Sequence, residues 1–190
     1  LSPDPSLMRE RMRILSTLST DDEFNIPLIV ASAPALVRKT VPRDRFASVR
    51  QVIKRGTHLE PKAMLAKWCD MGYEMSGMVE IPGTMSRRGG ILDIYPPGNE
   101  MPSRIELFGN EVESIRVFDP LTQRSKGEVS SVTITPAKDA TIWERDENSD
   151  TILHYLPDNT LVILDELPEI ERAVEELDIR AQQLRQEQEY

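Results

Sequence analysis

Hydrophobic residues recur at helical spacing in two segments of the first third of the chain. In SPDPSLMRERMRILSTL, Asp4 can cap a helix N-terminus and Pro5 suits the first helical position. The apolar residues of this segment share one helix face: Leu7, Met8, Met12, Leu15 and Leu18. A second helix is predicted from Pro61 to Gly72, with an apolar face made of Met64, Leu65, Trp68 and Met71.

Two apolar segments between these helices predict strands. PLIVASA is bounded by Pro27 and Pro34, which predicts a buried strand followed by helical turns over residues 35–39. ASVRQVIKRG alternates in polarity, as is typical of a half-buried strand. This first third of the chain therefore indicates an α/β domain. It begins on a helix, as though an earlier part of that domain were missing.

From Gly77 to about Pro136 the pattern changes to short strands separated by Gly, Pro and Asn turns. The predicted strands cover residues 78–81, 91–95, 104–108, 114–118 and 131–135. This spacing indicates a small, mainly antiparallel, β-rich module.

The α/β pattern returns after that module. TILHYL can start a helix, TLVILDE predicts a buried strand, and a long helix is predicted from Pro168. The apolar seam of this helix spans only about two heptads, which favours a linker helix over a dimer seam. The predicted organisation is a discontinuous α/β domain over 1–78 and 137–167, a β-rich insertion over 79–136, and a C-terminal linker helix over 168–190.

Composition and charge exclude several classes of function. Hydrophobic residues make up 39% of the chain, and charged residues make up 29%. The net charge is −9, and residues 139–190 hold 15 acidic against 4 basic residues. Because no segment forms a strongly basic stripe, a protein partner with basic patches is a better expectation than nucleic acid. No apolar run is long enough to cross a membrane and no signal peptide is visible, so a cytoplasmic location is expected.

Isolated reactive residues give no sign of a catalytic or metal site. His58 and His154 lack a nearby second ligand, and the lone Cys69 has no neighbouring His. No cofactor, metal site or catalytic group is predicted from these residues.

The segment LVILDE has the form of a Walker B motif, with Asp165 for magnesium and Glu166 for water activation. The chain contains no G-x-x-x-x-G-K-[ST] P-loop to hold the phosphates. A buried strand that ends in a helix-capping acid is the simpler interpretation. We therefore expect Asp165 and Glu166 to be a degenerate remnant of an ATPase motif.

The segment SRRGGILDIYPPGNEMPSRIELFGNE carries the main candidate site. If Ile105 and Leu107 face the core, strand pleating turns Arg104 and Phe108 to the opposite side. Two interpretations of Phe108 remain open: a strand end folded over the sheet edge and half-buried, or an interface residue flanked by arginines. Arg88 begins a tight turn in which Gly89 and Gly90 allow positive φ or close backbone approach.

The sequence from VEIPGTMSRRGG to FDPLTQRS resembles the UvrB-homology region of the bacterial transcription-repair coupling factors, Mfd. RGGILDIYPPG, RIELFGNEVESIRVFD and TQRS follow the pattern of that family. The resemblance implies an inactive RecA-like α/β domain, related to P-loop NTPases, that is interrupted by a UvrA-binding module similar to UvrB domain 2.

The resemblance also implies a function and its residues. Positions that contact UvrA in the family match Arg88, Arg104 and Phe108, so these residues are expected on one exposed face. The implied role is recruitment of UvrA to RNA polymerase stalled at a DNA lesion, with polymerase and DNA bound by other domains. Two alternatives remain: a fragment of the UvrB damage-recognition ATPase, or an interaction module for a different partner.

Overall fold

The computed structural model describes residues 4–19, 28–138 and 150–188. Position 27 of the predicted first strand and residues 139–149 of the predicted α/β domain lie outside these ranges. The helices are α1 (Pro5–Leu18), α2 (Ala33–Val37), α3 (Arg43–Val49), α4 (Pro61–Asp70), a 3₁₀ helix (Ile152–Tyr155) and α5 (Leu167–Gln188). The strands are β1 (Gln51–Lys54), β2 (Glu74–Met75), β3 (Thr84–Arg88), β4 (Ile91–Ile94), β5 (Ser103–Phe108), β6 (Glu111–Phe118), β7 (Ser125–Glu128) and β8 (Ser131–Ile134).

A six-stranded sheet forms the centre of the fold. Its strands lie in the order β2-β3-β4-β5-β6-β7. All neighbours are antiparallel except β2 and β3, which are parallel and are joined by the crossover segment 76–83. A separate two-stranded antiparallel sheet pairs β1 with β8.

The larger hydrophobic core lies on one face of the six-stranded sheet. Leu92, Ile105 and Ile115 from the sheet cluster with Trp68 of α4 and with Ile53 of β1. Trp68 is fully buried, and its indole Nε1 donates a hydrogen bond to Gln51 Oε1 at 3.2 Å. This partner satisfies the indole N–H, which would be costly to leave unpaired.

A second core joins the two ends of the described chain. It contains Met12 and Leu15 of α1, Val41, Phe46 of α3 and Tyr155 of the 3₁₀ helix. The Tyr155 hydroxyl donates to the Val41 carbonyl at 2.8 Å, and its ring meets Phe46 edge-on at 6.2 Å. Residues on both sides of the β-rich module therefore share one core.

The two cores divide near residue 50, earlier in the chain than the predicted boundary at 78–79. Trp68, Met71 and Tyr73 lie in the same core as the six-stranded sheet. The Tyr73 hydroxyl donates to the Thr135 carbonyl at 2.7 Å, and burial raises the pKa of Tyr73. The helical spacing of α4 shows that one face is buried, but it does not specify the element against which that face packs.

Two predicted buried strands are wrong. Residues 28–32 and 161–164 form no strand. Their large apolar side chains are exposed except that of Ile29, which is half-buried, and Leu28 is 92% and Leu161 83% exposed. In the described ranges no strand pairs with either segment, so neither has a sheet to enter. The helices that follow them, α2 and α5, contact each other.

Most strand predictions within the β-rich module are confirmed, with three differences. The predicted strand 78–81 is wrong, because those residues belong to the crossover segment. β3 and β7 were not predicted, because their polar sequences TMSRR and SKGE lack an apolar alternation. The strand predicted at 131–135 forms as β8 but pairs with β1 outside the main sheet.

Before the β-rich module, the strand predicted at 47–56 is confirmed only in part. Its first residues are helical up to Val49, and the strand β1 begins at Gln51.

The buried faces predict where the fold is sensitive to substitution. Ile105 is fully buried in the central strand β5, so Ile105→Ala should cost about 2–5 kcal/mol of unfolding free energy. The matched variant Leu121→Ala, at a loop residue that is 82% exposed, should stay within about 0.5 kcal/mol of the wild type. Urea unfolding followed by circular dichroism measures both. Equal effects would contradict the packing described above.

Candidate partner-binding surface

Two hairpin turns lie at the same end of the six-stranded sheet. Arg88 pairs with Ile91 across a two-residue turn, and Phe108 pairs with Glu111 across another. β3 and β5 run in the same direction because each is antiparallel to β4. Arg88 and Phe108 are the last residues of these two strands. Both side chains are therefore presented at the turn end of the sheet.

Glycines make the first of these turns possible. Gly89 has φ +61°, a conformation that side-chain-bearing residues rarely adopt. At Gly90 an added Cβ would lie 2.9 Å from the Leu107 carbonyl oxygen, so this position has no room for a side chain. Gly89 thus supplies the positive φ and Gly90 the close backbone approach that the sequence predicts at this turn.

Arg88, Arg104 and Phe108 share the sheet face that points away from the larger core, called here the outer face. Ser103 and Ile105 are buried, so Arg104 and Phe108 alternate to the other side. The register places Arg88 beside Ile91, and Ile91 beside Glu106, on that same face. Phe108 is two strand spacings across and two residues along from Arg88, which corresponds to about 12 Å between their Cα atoms.

Phe108 is 78% exposed, so the interpretation in which it folds over the sheet edge is wrong. Its hairpin is held firmly by residues 56–59. The Leu59 amide donates to the Asn110 carbonyl at 2.6 Å, and the Val112 amide donates to the Thr57 carbonyl at 2.9 Å. The hydrogen bonds from residues 56–59 fix this hairpin, and the exposed Phe108 ring contributes little to folding. The ring is therefore available to a partner.

Arg104 is placed differently from the other two candidates. Its Nε and Nη2 donate to the two carboxylate oxygens of Asp93 at 2.8 and 2.9 Å. The Arg104 side chain is only 18% exposed and that of Asp93 only 2%. The hydrogen bonding to Asp93 raises the pKa of Arg104. The prediction of one exposed face therefore holds for Arg88 and Phe108 and is wrong for Arg104.

Neighbouring charges on the outer face compensate one another. Arg104 and Arg116 are opposite each other in the register, an arrangement that is unfavourable for like charges alone. Two carboxylates flank Arg116 at 3.6 Å, those of Glu106 and Glu128. The outer face is therefore charged but locally balanced, with Phe108 at its edge.

Asp165 and Glu166 form no catalytic arrangement. Both side chains are exposed in the bend that precedes α5. The Glu166 carbonyl accepts the amides of Glu169 and Ile170 at 2.9 and 3.1 Å, so this backbone caps the helix. Among the described residues, no group of three His, Cys, Asp or Glu could hold a metal ion. No helix in that part of the chain is long and apolar enough to cross a membrane.

The sequence pattern missed the role of Asp93. An acidic residue inside the apolar strand ILDI was the available signal, because a charge there needs a partner if the strand is covered. The missing information was the β4–β5 register, which sets Asp93 opposite Arg104.

The ion pair predicts an asymmetry between the two arginines of the site. Arg104→Glu places a second carboxylate beside the buried Asp93, and should cost about 3–5 kcal/mol of unfolding free energy. Arg88→Glu is the matched charge reversal at an exposed position and should change stability by about 0.5 kcal/mol or less. Thermal unfolding of both variants checks this. A wild-type melting temperature for Arg104→Glu would contradict the burial of the pair.

Comparison with known proteins shows what the β-rich module is similar to. Residues 52–139 match the family model for the UvrB interaction domain. Over 138 residues, 73% of this chain, it is 39% identical to the transcription-repair-coupling factor of Bacillus subtilis (strain 168). The identity is 34% over 76% of the chain for the factor from Myxococcus xanthus, and 39% over 74% for that from Staphylococcus aureus (strain USA300).

The chain spans 12% of the length of each of these curated relatives. The match to the family model begins within β1 and ends just after β8. It therefore includes α4, the whole six-stranded sheet and β8, which together with Ile53 of β1 form the larger core. Residues 52–139 of this chain are therefore similar to the UvrB interaction domain, and most of the chain is similar to a segment of the transcription-repair-coupling factors named above.

Proposed function

We propose that this chain is a non-catalytic recruitment module that binds UvrA through the outer face of its six-stranded sheet. The observation that carries the proposal is Phe108, an aromatic residue 78% exposed on a braced hairpin of a UvrB interaction domain. A few residues carry most of the binding energy of many protein interfaces, and aromatic residues and arginine are enriched at such interfaces. Phe108 is the proposed apolar anchor.

Arg88 supplies the charge beside this anchor. Its side chain is exposed at the end of β3, and its Nη2 donates to the Gly77 carbonyl at 3.3 Å. A guanidinium in this position retains donors for a carboxylate of the partner, and such charge-assisted bonds are stronger than neutral ones. Arg104 belongs to the same surface in the proposal, although its charge is already paired with Asp93.

The biological role follows from the relatives. Their name couples transcription to repair, and a module that captures UvrA would link the two processes. In the proposal, RNA polymerase and DNA are bound by other parts of a longer protein, whose ATP-dependent translocase activity lies outside this chain. This chain itself performs no catalytic step.

The remaining elements are proposed to belong to an inactive RecA-like α/β domain. The helices that follow the exposed apolar segments 28–32 and 161–164, α2 and α5, contact each other. Contacts between elements from the two sides of the β-rich module support a single domain that the module interrupts. The β-rich module is then an insertion that starts near Gln51.

Removing the aromatic anchor tests UvrA binding directly. Phe108→Ala should weaken the affinity for purified UvrA at least twentyfold, about 2 kcal/mol, because the anchor is lost. The melting temperature should stay close to the wild-type value, since the side chain is 78% exposed. Isothermal titration and thermal unfolding measure the two quantities.

The control for this test is Ile179→Ala, at an apolar residue that is 57% exposed on α5, away from the sheet. Its affinity for UvrA should equal that of the wild type. If Phe108→Ala binds UvrA as well as Ile179→Ala does, this surface is not the UvrA-binding site. If the wild type itself does not bind UvrA, the partner is a different protein.

Nucleotide binding gives a second test. Asp165 and Glu166 are exposed and stand without a P-loop in this sequence, so Mg-ATP should not bind with micromolar affinity. Asp165→Ala should also leave UvrA binding unchanged, because Asp165 precedes α5 and is not part of the outer face of the sheet. Titration calorimetry with Mg-ATP measures the first quantity. A micromolar dissociation constant that Asp165→Ala removes would overturn the non-catalytic assignment.

A further inference from the structure

The connection between β4 and β5 contains a tight turn over residues 96–99. The Asn99 amide donates to the Pro96 carbonyl at 3.1 Å, which places Pro97 and Gly98 at the centre of a β-turn. Proline is favoured at the first central position, and Pro96 and Pro97 are both buried. Gly98 does not have a positive φ, so the turn itself does not require a glycine at this position.

The approach of α1 is what requires a glycine here. An added Cβ at Gly98 would lie 2.8 Å from the Ser16 Cβ and closer still to the Ser16 Oγ. Both separations are shorter than van der Waals contact allows. Ser16 lies on the helix that places Met12 and Leu15 in the second core. The helix α1 therefore packs into the second core and also against the turn between β4 and β5.

The C-terminal end of α1 is also connected to the segment where the chain enters the β-rich module. Arg50 lies between α3 and β1, and its Nη1 donates to the Ser19 carbonyl at 3.4 Å. The Ser19 amide in turn donates to the Leu15 carbonyl at 3.0 Å, within the last turn of the helix. The end of α1 thus contacts two segments of the module that are distant from each other in sequence.

The contact with the turn lies at the end of the sheet opposite to Arg88 and Phe108. β4 begins after the Arg88 turn and ends at Ile94, so residues 96–99 follow at the other end. β5 runs between the two ends, from Ser103 beside Ile94 to Phe108, and its 6 residues span about 17 Å. The α1 contact and the proposed binding surface are therefore well separated.

We propose that the contact between Ser16 and Gly98 holds the second core and the six-stranded sheet in one fixed relative orientation. The chain passes from one to the other through a short connection between α3 and β1. Two cores joined in this way move relative to each other unless contacts between them prevent it. The contact thereby fixes the direction in which Arg88 and Phe108 face relative to the second core. Its consequence, a fixed orientation of bound UvrA, rests on the proposed function.

Gly98→Ala tests the contact, because it adds only the atom for which α1 leaves no room. The substitution should push α1 away from the turn, so the Ser19 amide should exchange its hydrogen about tenfold faster. The Leu107 amide, which donates to the Gly90 carbonyl at 2.8 Å within the sheet, should keep its wild-type rate. Native-state hydrogen exchange measures both rates.

Ser16→Gly supplies the rescue, because it removes the two atoms that the new Cβ would meet. In a Ser16→Gly background, Gly98→Ala should change the Ser19 exchange rate by less than about twofold. Comparison within that background allows for the lower helix propensity of glycine. The matched control is Gly127→Ala on β7, where an added Cβ meets nothing within 4 Å, and wild-type rates are expected. Equal acceleration by Gly98→Ala in both backgrounds, or acceleration in neither, would overturn the proposal.

A distance measurement tests the fixed orientation directly. Cys69 is exposed on α4 and is the single cysteine of the chain, so it can carry one spin label. Leu7→Cys, at a 66% exposed position of α1, supplies the second attachment site. The two labels should give one narrow distance distribution with Gly98 present and a broader one after Gly98→Ala. A broad distribution with Gly98 present, or no broadening after Gly98→Ala, would overturn the proposal.

Titration with UvrA separates this inference from the proposed function. Gly98→Ala should bind UvrA with wild-type affinity, because residues 96–99 lie at the opposite end of the sheet from Phe108. A loss of affinity in this variant would contradict the separation of the two ends. Phe108→Ala is titrated in parallel. A normal affinity for that variant would refute the binding surface but not the α1 contact, since the exchange and spin-label measurements use no UvrA.

Discussion

A buried carboxylate at the centre of the sheet is the constraint on which the outer face depends. Asp93 is 2% exposed and must be paired, because an isolated charge in the protein interior is very unfavourable. The β4–β5 register places Arg104 directly opposite, and the planar guanidinium can satisfy both carboxylate oxygens at once. Once this pair is set, Phe118 can stack on it, and the crossover segment and the β6–β7 loop can close over it.

The two faces of the sheet have different roles: the inner face stabilises the fold, and the outer face is the proposed binding surface. The inner face packs against α4 and the β1–β8 pair, and this core supplies most of the apolar burial of the module. Folding therefore does not require apolar burial at the turn end of the outer face. Phe108 can stay in water there at little cost, because the hydrogen bonds from residues 56–59 hold its hairpin without the ring.

The part of the chain that contains α1, α3 and the 3₁₀ helix has the opposite character. Its small core holds α1, α3 and the 3₁₀ helix together, but Leu28, Val30, Leu161 and Ile163 remain in solvent. Exposed apolar segments of this kind mark surfaces that another part of a protein covers. The six-stranded sheet with α4, β1 and β8, in contrast, encloses a core of its own that extends from Ile53 to Ala137. The proposed binding function therefore belongs to the part of the chain that buries its own apolar residues.

The local pattern of apolar and polar residues was sufficient to predict many of the helices and strands of this fold. The predicted helices α1, α4 and α5 and the predicted strands β4, β5 and β6 are confirmed. In α1, α4 and the three strands the pattern reflects one buried face along a regular element. Pleating also put Arg104 and Phe108 on the same side of β5, and the glycines identified the turn after Arg88. The β3 and β7 strands were missed, since their polar sequences show no such pattern.

Tertiary structure decided which of those side chains meet solvent. Periodicity predicts to which side of a strand a residue points. Whether the residue is buried depends on the segments that cover that side of the sheet, and in this fold those segments are distant in sequence. The crossover segment and the β6–β7 loop cover Arg104 and leave Phe108 exposed, although the two residues are only four positions apart. For the same reason 28–32 and 161–164 resemble buried strands in sequence and stay exposed, since a strand is buried only where neighbouring strands pair with it.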